Sequence, residues 1–198
     1  MSEFVVSVDL GQANDYTAAM VFEVIRDGKA CNLHLRHIER LELGTTYPKI
    51  VDYIEKLVNS EQLRGGAKRV VIDVTGCGRP VWDMLRETKL RAYLYGVLIH
   101  GGDNVTKENG VYRVPKRDLI SSLQIVFQNN KLKIARGLPG ADTLVKELIN
   151  FKVKINTNGH DQYEAWRESI HDDLVLSAAM GVWLAMQNKP FNLHVLAS

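Results

Sequence analysis

Residues 4–11, Phe4-Val5-Val6-Ser7-Val8-Asp9-Leu10-Gly11, make a short apolar run, rich in valine, that ends on an acid and a glycine. Such a run reads as a buried strand that stops at a polar loop and leaves a carboxylate at its mouth. Outward from it, Ala18 to Ile25 and Asn32 to Leu41 are two further strand-like runs, joined by Arg26-Asp27-Gly28-Lys29. The Asp-Gly pair in that joint marks a hairpin, so the chain is expected to open with three antiparallel strands.

The pattern then changes period. Ile50, Ile54, Leu57 and Val58 stand at helical spacing within Tyr47 to Leu63, with Pro48 tolerable in the first turn. Arg69 to Val74 is a continuous apolar run interrupted by Asp73, followed by Thr75-Gly76-Cys77-Gly78 and a helical segment from Pro80 to about Thr88. Strand and helix keep alternating: a strand over Ala92 to His100, a helix over Lys116 to Asn129, a short strand over Lys131 to Ile134 and a helix over Ala141 to Asn150. Phe151 to Ile155 and Gln162 to Trp166 read as a β-hairpin around Asn156-Thr157-Asn158-Gly159, and about Ser169 to Gln187 as a largely apolar final helix. Three meandering strands followed by alternating helices and strands indicate an α/β domain in three layers around a mixed central sheet, with an additional β-hairpin. The order is similar to that of the ribonuclease H-like fold, and also to that of sugar kinases and actin-like ATPases.

Composition narrows the classes. With 198 residues, 45% hydrophobic and 24% charged, the chain is expected to be one globular domain spanning 1–198. No apolar run is long enough for a membrane span and the start lacks the features of a signal peptide, so a cytoplasmic location is expected. Cys31 and Cys77 stand far apart with no companion ligand, which argues against a structural zinc site. A net charge of +2 permits a polyanionic partner without requiring one. No GxxxxGK[ST] motif occurs, so no P-loop ATPase is expected in this chain.

Asp9, Asp73 and the pair Asp172-Asp173 each fall where a regular element meets a loop or opens a helix. Burying an unpaired carboxylate costs several kcal/mol or more, and a divalent cation is one partner that removes the cost. Mg²⁺ takes hard oxygen ligands and keeps several waters, so a few carboxylates drawn from distant parts of a chain can hold it. Two such ions about 4 Å apart can activate a water and stabilise the leaving oxygen of a phosphodiester. The competing reading for each acid is a turn, a helix cap or a partner for the helix dipole.

The stretches Val8 to Gln12 with Asp15 and Ala18, Val71 to Gly78, Val114 to Arg117, and Tyr163 to Trp166 through His171-Asp172-Asp173-Leu174 together resemble the nuclease domain of viral terminase large subunits. The resemblance runs from the first strand to the last helix. It implies a metal-dependent DNA endonuclease that uses two Mg²⁺ or Mn²⁺ ions to cut concatemeric viral DNA during genome packaging in the infected host's cytoplasm. Asp9, Asp73 and Asp173 would then be catalytic and metal ligands; Asp172 would be an alternative ligand beside Asp173, and Asp15 a further acid near the metals. Implied partners are double-stranded DNA, a terminase ATPase domain, a small terminase subunit and a portal ring, with no membrane.

Several residues fit contacts to a DNA backbone. Gly76 and Gly78 would let the main chain approach a phosphate, with a tight turn as the plainer reading. Lys116 and Arg117 open a helix where its dipole attracts an anion, and Lys152 and Lys154 share one face of the expected hairpin strand. His171, beside the acids, reads as a structural residue or cap partner. The rival functions are a Holliday-junction resolvase or other nuclease of this fold, a phosphotransferase of the actin-like class, and an inactive nuclease-fold docking module.

Overall fold

The computed structural model describes residues 2–11, 15–28, 30–151 and 172–187. The leading run becomes β1 (Glu3–Asp9), paired antiparallel with β2 (Ala18–Asp27), which pairs antiparallel with β3 (Ala30–Arg40). The expected meander is therefore present. The remaining elements are α1 (Tyr47–Val58), β4 (Ala67–Asp73), α2 (Gly78–Glu87), β5 (Tyr93–His100), β6 (Thr106–Glu108), β7 (Val111–Pro115), α3 (Lys116–Gln128), β8 (Leu132–Ile134), α4 (Ala141–Asn150) and α5 (Asp173–Met186).

The eight strands form one mixed sheet in the order β6-β7-β5-β4-β1-β2-β3-β8. β1 lies at its centre, antiparallel to β2 and parallel to β4, so both its faces are covered and its sequence is apolar without a polar side. Val6 and Val8 point into a core shared with Ile50 and Ile54 of α1 and Val81 and Leu85 of α2. Val5 points the other way, into a core shared with α3, α4 and α5. The result is the expected three-layer arrangement of helices, sheet and helices.

Some boundaries differ from the expectation, each for a physical reason. α1 stops at Val58 because Asn59 and Ser60 leave the helical region, and Glu61–Leu63 continues only as a 3₁₀ turn. β6 and β7 form a hairpin that the sequence pattern did not reveal: β6 is three exposed residues, too short for an alternation to register. Asn109 and Gly110 both take positive φ at its turn, the geometry of a tight hairpin. α5 runs Asp173–Met186 with Asp172 as its N-cap residue, and the expected start near Ser169 lies outside the described residues. The hairpin expected over Phe151 to Trp166 lies, apart from Phe151, outside the described residues.

Candidate functional site

Strand alternation decides where the acids point. In β1, Ser7 meets Ser177 of α5, and in β4, Arg69 donates to the Leu184 carbonyl of α5. Two residues further along β1 and four further along β4, both even steps, Asp9 and Asp73 therefore face the α5 side. The parallel β1–β4 ladder pairs Val8 with Ile72, so Asp9 and Asp73 follow side by side at the carboxyl ends of adjacent strands. This is the edge at which open α/β sheets bind ligands. Thr75 N–H donates to Asp73 Oδ1 at 2.7 Å, fixing that carboxylate, and the Ile99 N–H in turn donates to Thr75 Oγ1 at 2.9 Å.

α5 brings the third acid. It is apolar on all sides and buried between the sheet and α3 and α4, so its one acid, Asp173, at 7% exposure, sits at the end that meets the Asp9 and Asp73 strand ends. The stripe Ser177 and Gly181 lets it lie close to the sheet: a Cβ on Gly181 would stand 2.5 Å from a Phe22 ring carbon and 2.9 Å from Ser7 Oγ. Its terminal carbonyls are answered by guanidinium groups, Arg26 Nη2 to Ala185 at 2.7 Å and Arg69 Nη1 to Leu184 at 2.9 Å, where the helix dipole favours cations.

Electrostatics show that the four acids share one field. Burial pushes the Asp9 carboxyl well above the usual carboxylate range, Asp73, Asp173 and Asp172 add to the rise, and Lys116 opposes it. Asp172 is also raised, chiefly by burial, with Lys116 pulling it down and Asp15 pushing it up. Lys116 Nζ lies 3.7 Å from Asp172 Oδ2, and its side chain is only 12% exposed. Asp15 itself is exposed.

Asp9, Asp73 and Asp173, exposed by only 7, 8 and 7%, offer oxygen donors alone. That set, costly to keep charged and facing one space, fits a hard divalent cation. Among the described residues no three His, Cys, Asp or Glu side chains are gathered into a ready-made metal cage.

The other expected residues separate. Gly76 takes φ +64° and is exposed, whereas Gly78 is buried at the start of α2, where a Cβ would meet the Asp73 carbonyl oxygen at 1.8 Å. Gly78 therefore serves packing. Arg117 points outward and pairs with Asp103 at 2.7 Å. Lys152, Lys154 and His171 lie outside the described residues.

Two residues that the sequence reading did not single out stand beside Asp173. Glu147 of α4 is 8% exposed and accepts from the Leu174 N–H at 3.2 Å. Burial pushes its carboxyl up to about 7, with Arg40 pulling down and Asp173 pushing up. Arg40, the last residue of β3, pairs with Glu147, and its Nη2 lies 3.6 Å from Asp173 Oδ2. A signal was present: Glu147 interrupts the apolar face that Ala141, Leu144, Leu148 and Phe151 set on the core.

A three-layer α/β fold with carboxylates at the ends of its first and fourth strands and on its last described helix is of the ribonuclease H-like class. The chain belongs to the terminase RNase H-like domain family, whose model matches residues 6–182. Among solved structures it is similar to the nuclease domain of the bacteriophage SPP1 large terminase, solved with bound Mn, with a TM-score of 0.55 at 10% identity over 90% of this chain and 84% of that one. The bacteriophage P22 large terminase nuclease domain gives a TM-score of 0.57 at 14% identity, covering 92% and 81%. The human cytomegalovirus terminase nuclease domain, Mn-soaked and inhibitor-bound, gives 0.56 at 13% identity, covering 91% and 82%. No curated protein sequence matches the chain. No helix among the described residues is long and apolar enough to cross a membrane.

Proposed function

We propose that the chain is a terminase-type nuclease domain, a metal-dependent endodeoxyribonuclease that cuts concatemeric viral DNA during genome packaging. The observation that carries this reading is that Asp9, Asp73 and Asp173 are all buried and that Asp9, at the carboxyl edge of the sheet, lies in the field of the other two. Membership of the terminase family supports the packaging role, and the Mn bound to the SPP1 domain supports a divalent metal.

In this reading Asp9, Asp73 and Asp173 hold Mg²⁺ or Mn²⁺, as two ions. Such ions supply Lewis-acid activation of water and charge stabilisation of the leaving oxygen in phosphodiester hydrolysis. Asp9 lies in the field of both other acids, so it would share in holding the metal with each of them. Thr75 N–H keeps Asp73 Oδ1 aimed at the site. Lys116 pairs with Asp172 beside the acids, and in this reading Lys116, Arg117 and Gly76 would contact the DNA backbone. Double-stranded DNA is the substrate, and the ATPase domain, small terminase subunit and portal are the proposed partners in the infected cell.

The test is cleavage of supercoiled plasmid by wild type and by Asp9→Asn, Asp73→Asn and Asp173→Asn in Mg²⁺, Mn²⁺ or EDTA. Metal-dependent nicking and linearisation, lost in each variant, is expected. Cleavage of four-way junctions in preference to linear duplex would instead identify a junction resolvase. A wild type that neither cuts nor binds either metal by calorimetry would leave a docking module.

A further inference from the structure

α5 carries Asp173 at its first helical position, yet its own N-cap residue, Asp172, makes no side-chain cap hydrogen bond. The first amide groups of a helix need acceptors from elsewhere. Here Glu147 supplies one from α4: its Oε2 accepts from the Leu174 N–H at 3.2 Å, and its carboxylate also interacts with the Val175 N–H. Glu147 is buried, and the cation that answers it is Arg40. One nitrogen of Arg40, Nη2, serves both Glu147 Oε1 and Asp173 Oδ2, the latter at 3.6 Å. Arg40 is itself held at the end of β3: it pairs across the sheet with Ala18, whose other neighbour is Asp9, and its guanidinium lies 5.1 Å from the centre of the Tyr16 ring.

We propose that Glu147 and Arg40 form a positioning pair for Asp173, Glu147 by capping α5 from outside the helix and Arg40 by bridging the two carboxylates. The inference rests on the metal-nuclease reading. Neither residue touches the reacting atoms. The division of labour is specific: Glu147 both anchors the helix end and occupies Arg40, and with Glu147 replaced by an uncharged residue Arg40 turns its full charge on Asp173 and competes with a metal ion there. Groups that orient a metal ligand without touching the metal typically govern about 10–100-fold in affinity.

The experiment is Mn²⁺ binding by calorimetry to the whole chain, for wild type, Glu147→Gln and the double variant Arg40→Gln/Glu147→Gln, with amide exchange at Leu174 and Val175 measured in metal-free protein. Glu147→Gln keeps an acceptor for the helix end, so exchange there is expected to stay near wild type while Mn²⁺ binding weakens about 10–100-fold. The double variant is expected to recover part of that loss, because no buried cation then competes for Asp173, and to stay below wild type, because the bridge between the carboxylates is gone. Mn²⁺ binding by Glu147→Gln equal to that of wild type, or a double variant no better than the single, overturns the pair. If Glu147→Gln does not fold, Arg40→Lys takes its place: it keeps the charge but not the planar fork, and about tenfold weaker binding is expected, with unchanged binding overturning the proposal. A wild type that binds no Mn²⁺ at all sinks the metal-nuclease reading and this inference with it.

Discussion

The hydroxyl groups of Ser7 and Ser177 meet at 3.1 Å, and Ser177 Oγ also donates to the Ser7 carbonyl at 3.1 Å, which locks α5 onto β1. From that lock, two residues along β1 cover about 6.6 Å, and four residues back along α5 cover about 6 Å. The two steps end on Asp9 and Asp173, so the serine pair sets the level at which the acids meet. Ser177→Ala leaves Ser7 with a buried, unanswered hydroxyl and is expected to cost about 1–3 kcal/mol in urea denaturation. The double variant with Ser7→Ala should cost less than the sum of the singles; strict additivity would mean that the two hydroxyls act independently.

Gly181 lets α5 reach that level. Gly181→Ala would place its Cβ 2.5 Å from the Phe22 ring and 2.9 Å from Ser7 Oγ, so the helix must lift. The expected cost is about 1–3 kcal/mol in stability. Because the lift carries Asp173 with it, Mn²⁺ affinity should fall in parallel, and an unchanged affinity would show that the acids tolerate the displacement.

Asp9 is held in the folded state against its own electrostatics, with burial and three acids raising its carboxyl. Asp9→Asn should therefore stabilise the metal-free protein, raising Tm by about 2–4 °C if the relief is about 1 kcal/mol. Wild type should gain Tm in excess Mn²⁺ by mass action and the variant should not. A metal-free variant less stable than wild type would contradict the charge-repulsion account.

The two adjacent acids of α5 have different surroundings. Asp173 is buried beside Arg40, while Asp172, at the N-cap position but without a side-chain cap bond, faces Lys116. Asp173→Asn is expected to reduce cleavage by at least about 100-fold, and Asp172→Asn by about tenfold, the range for a group that only orients its neighbours. Plasmid cleavage time courses decide, and the reverse ranking would make Asp172 the ligand.

At the opposite end of α5, Glu3 answers two guanidinium groups, Arg26 at 3.1 Å and the 6%-exposed side chain of Arg69. Glu3→Gln leaves both facing each other, and removing one member of a buried ion pair costs about 3–5 kcal/mol. Denaturant titration should show that loss; a change under about 1 kcal/mol would mean that solvent already screens the site.

Much of the fold was readable because its signals are local. The apolar run ending at Asp9, the Asp-Gly joint before β3 and the helical spacing in Tyr47 to Val58 each depend on neighbours a few residues apart. The β6–β7 hairpin escaped because three exposed residues carry no periodic pattern. Asp9, Asp73 and Asp173 stood out because a carboxylate in or beside an apolar run is costly, and cost is visible in one dimension.

What the sequence determined alone is therefore the alternation of strands and helices and the identity of the acids that end them. Tertiary structure decided the rest: that Asp9 and Asp73 are adjacent in a parallel ladder, and that Asp173 comes level with them through Ser7 and Ser177. Glu147 and Arg40 reach Asp173 from 26 and 133 residues away along the chain, counted from their positions. Periodicity records which face of an element is buried, but contacts at such separations form only when the sheet order and the helix registers are set, and no local pattern encodes them.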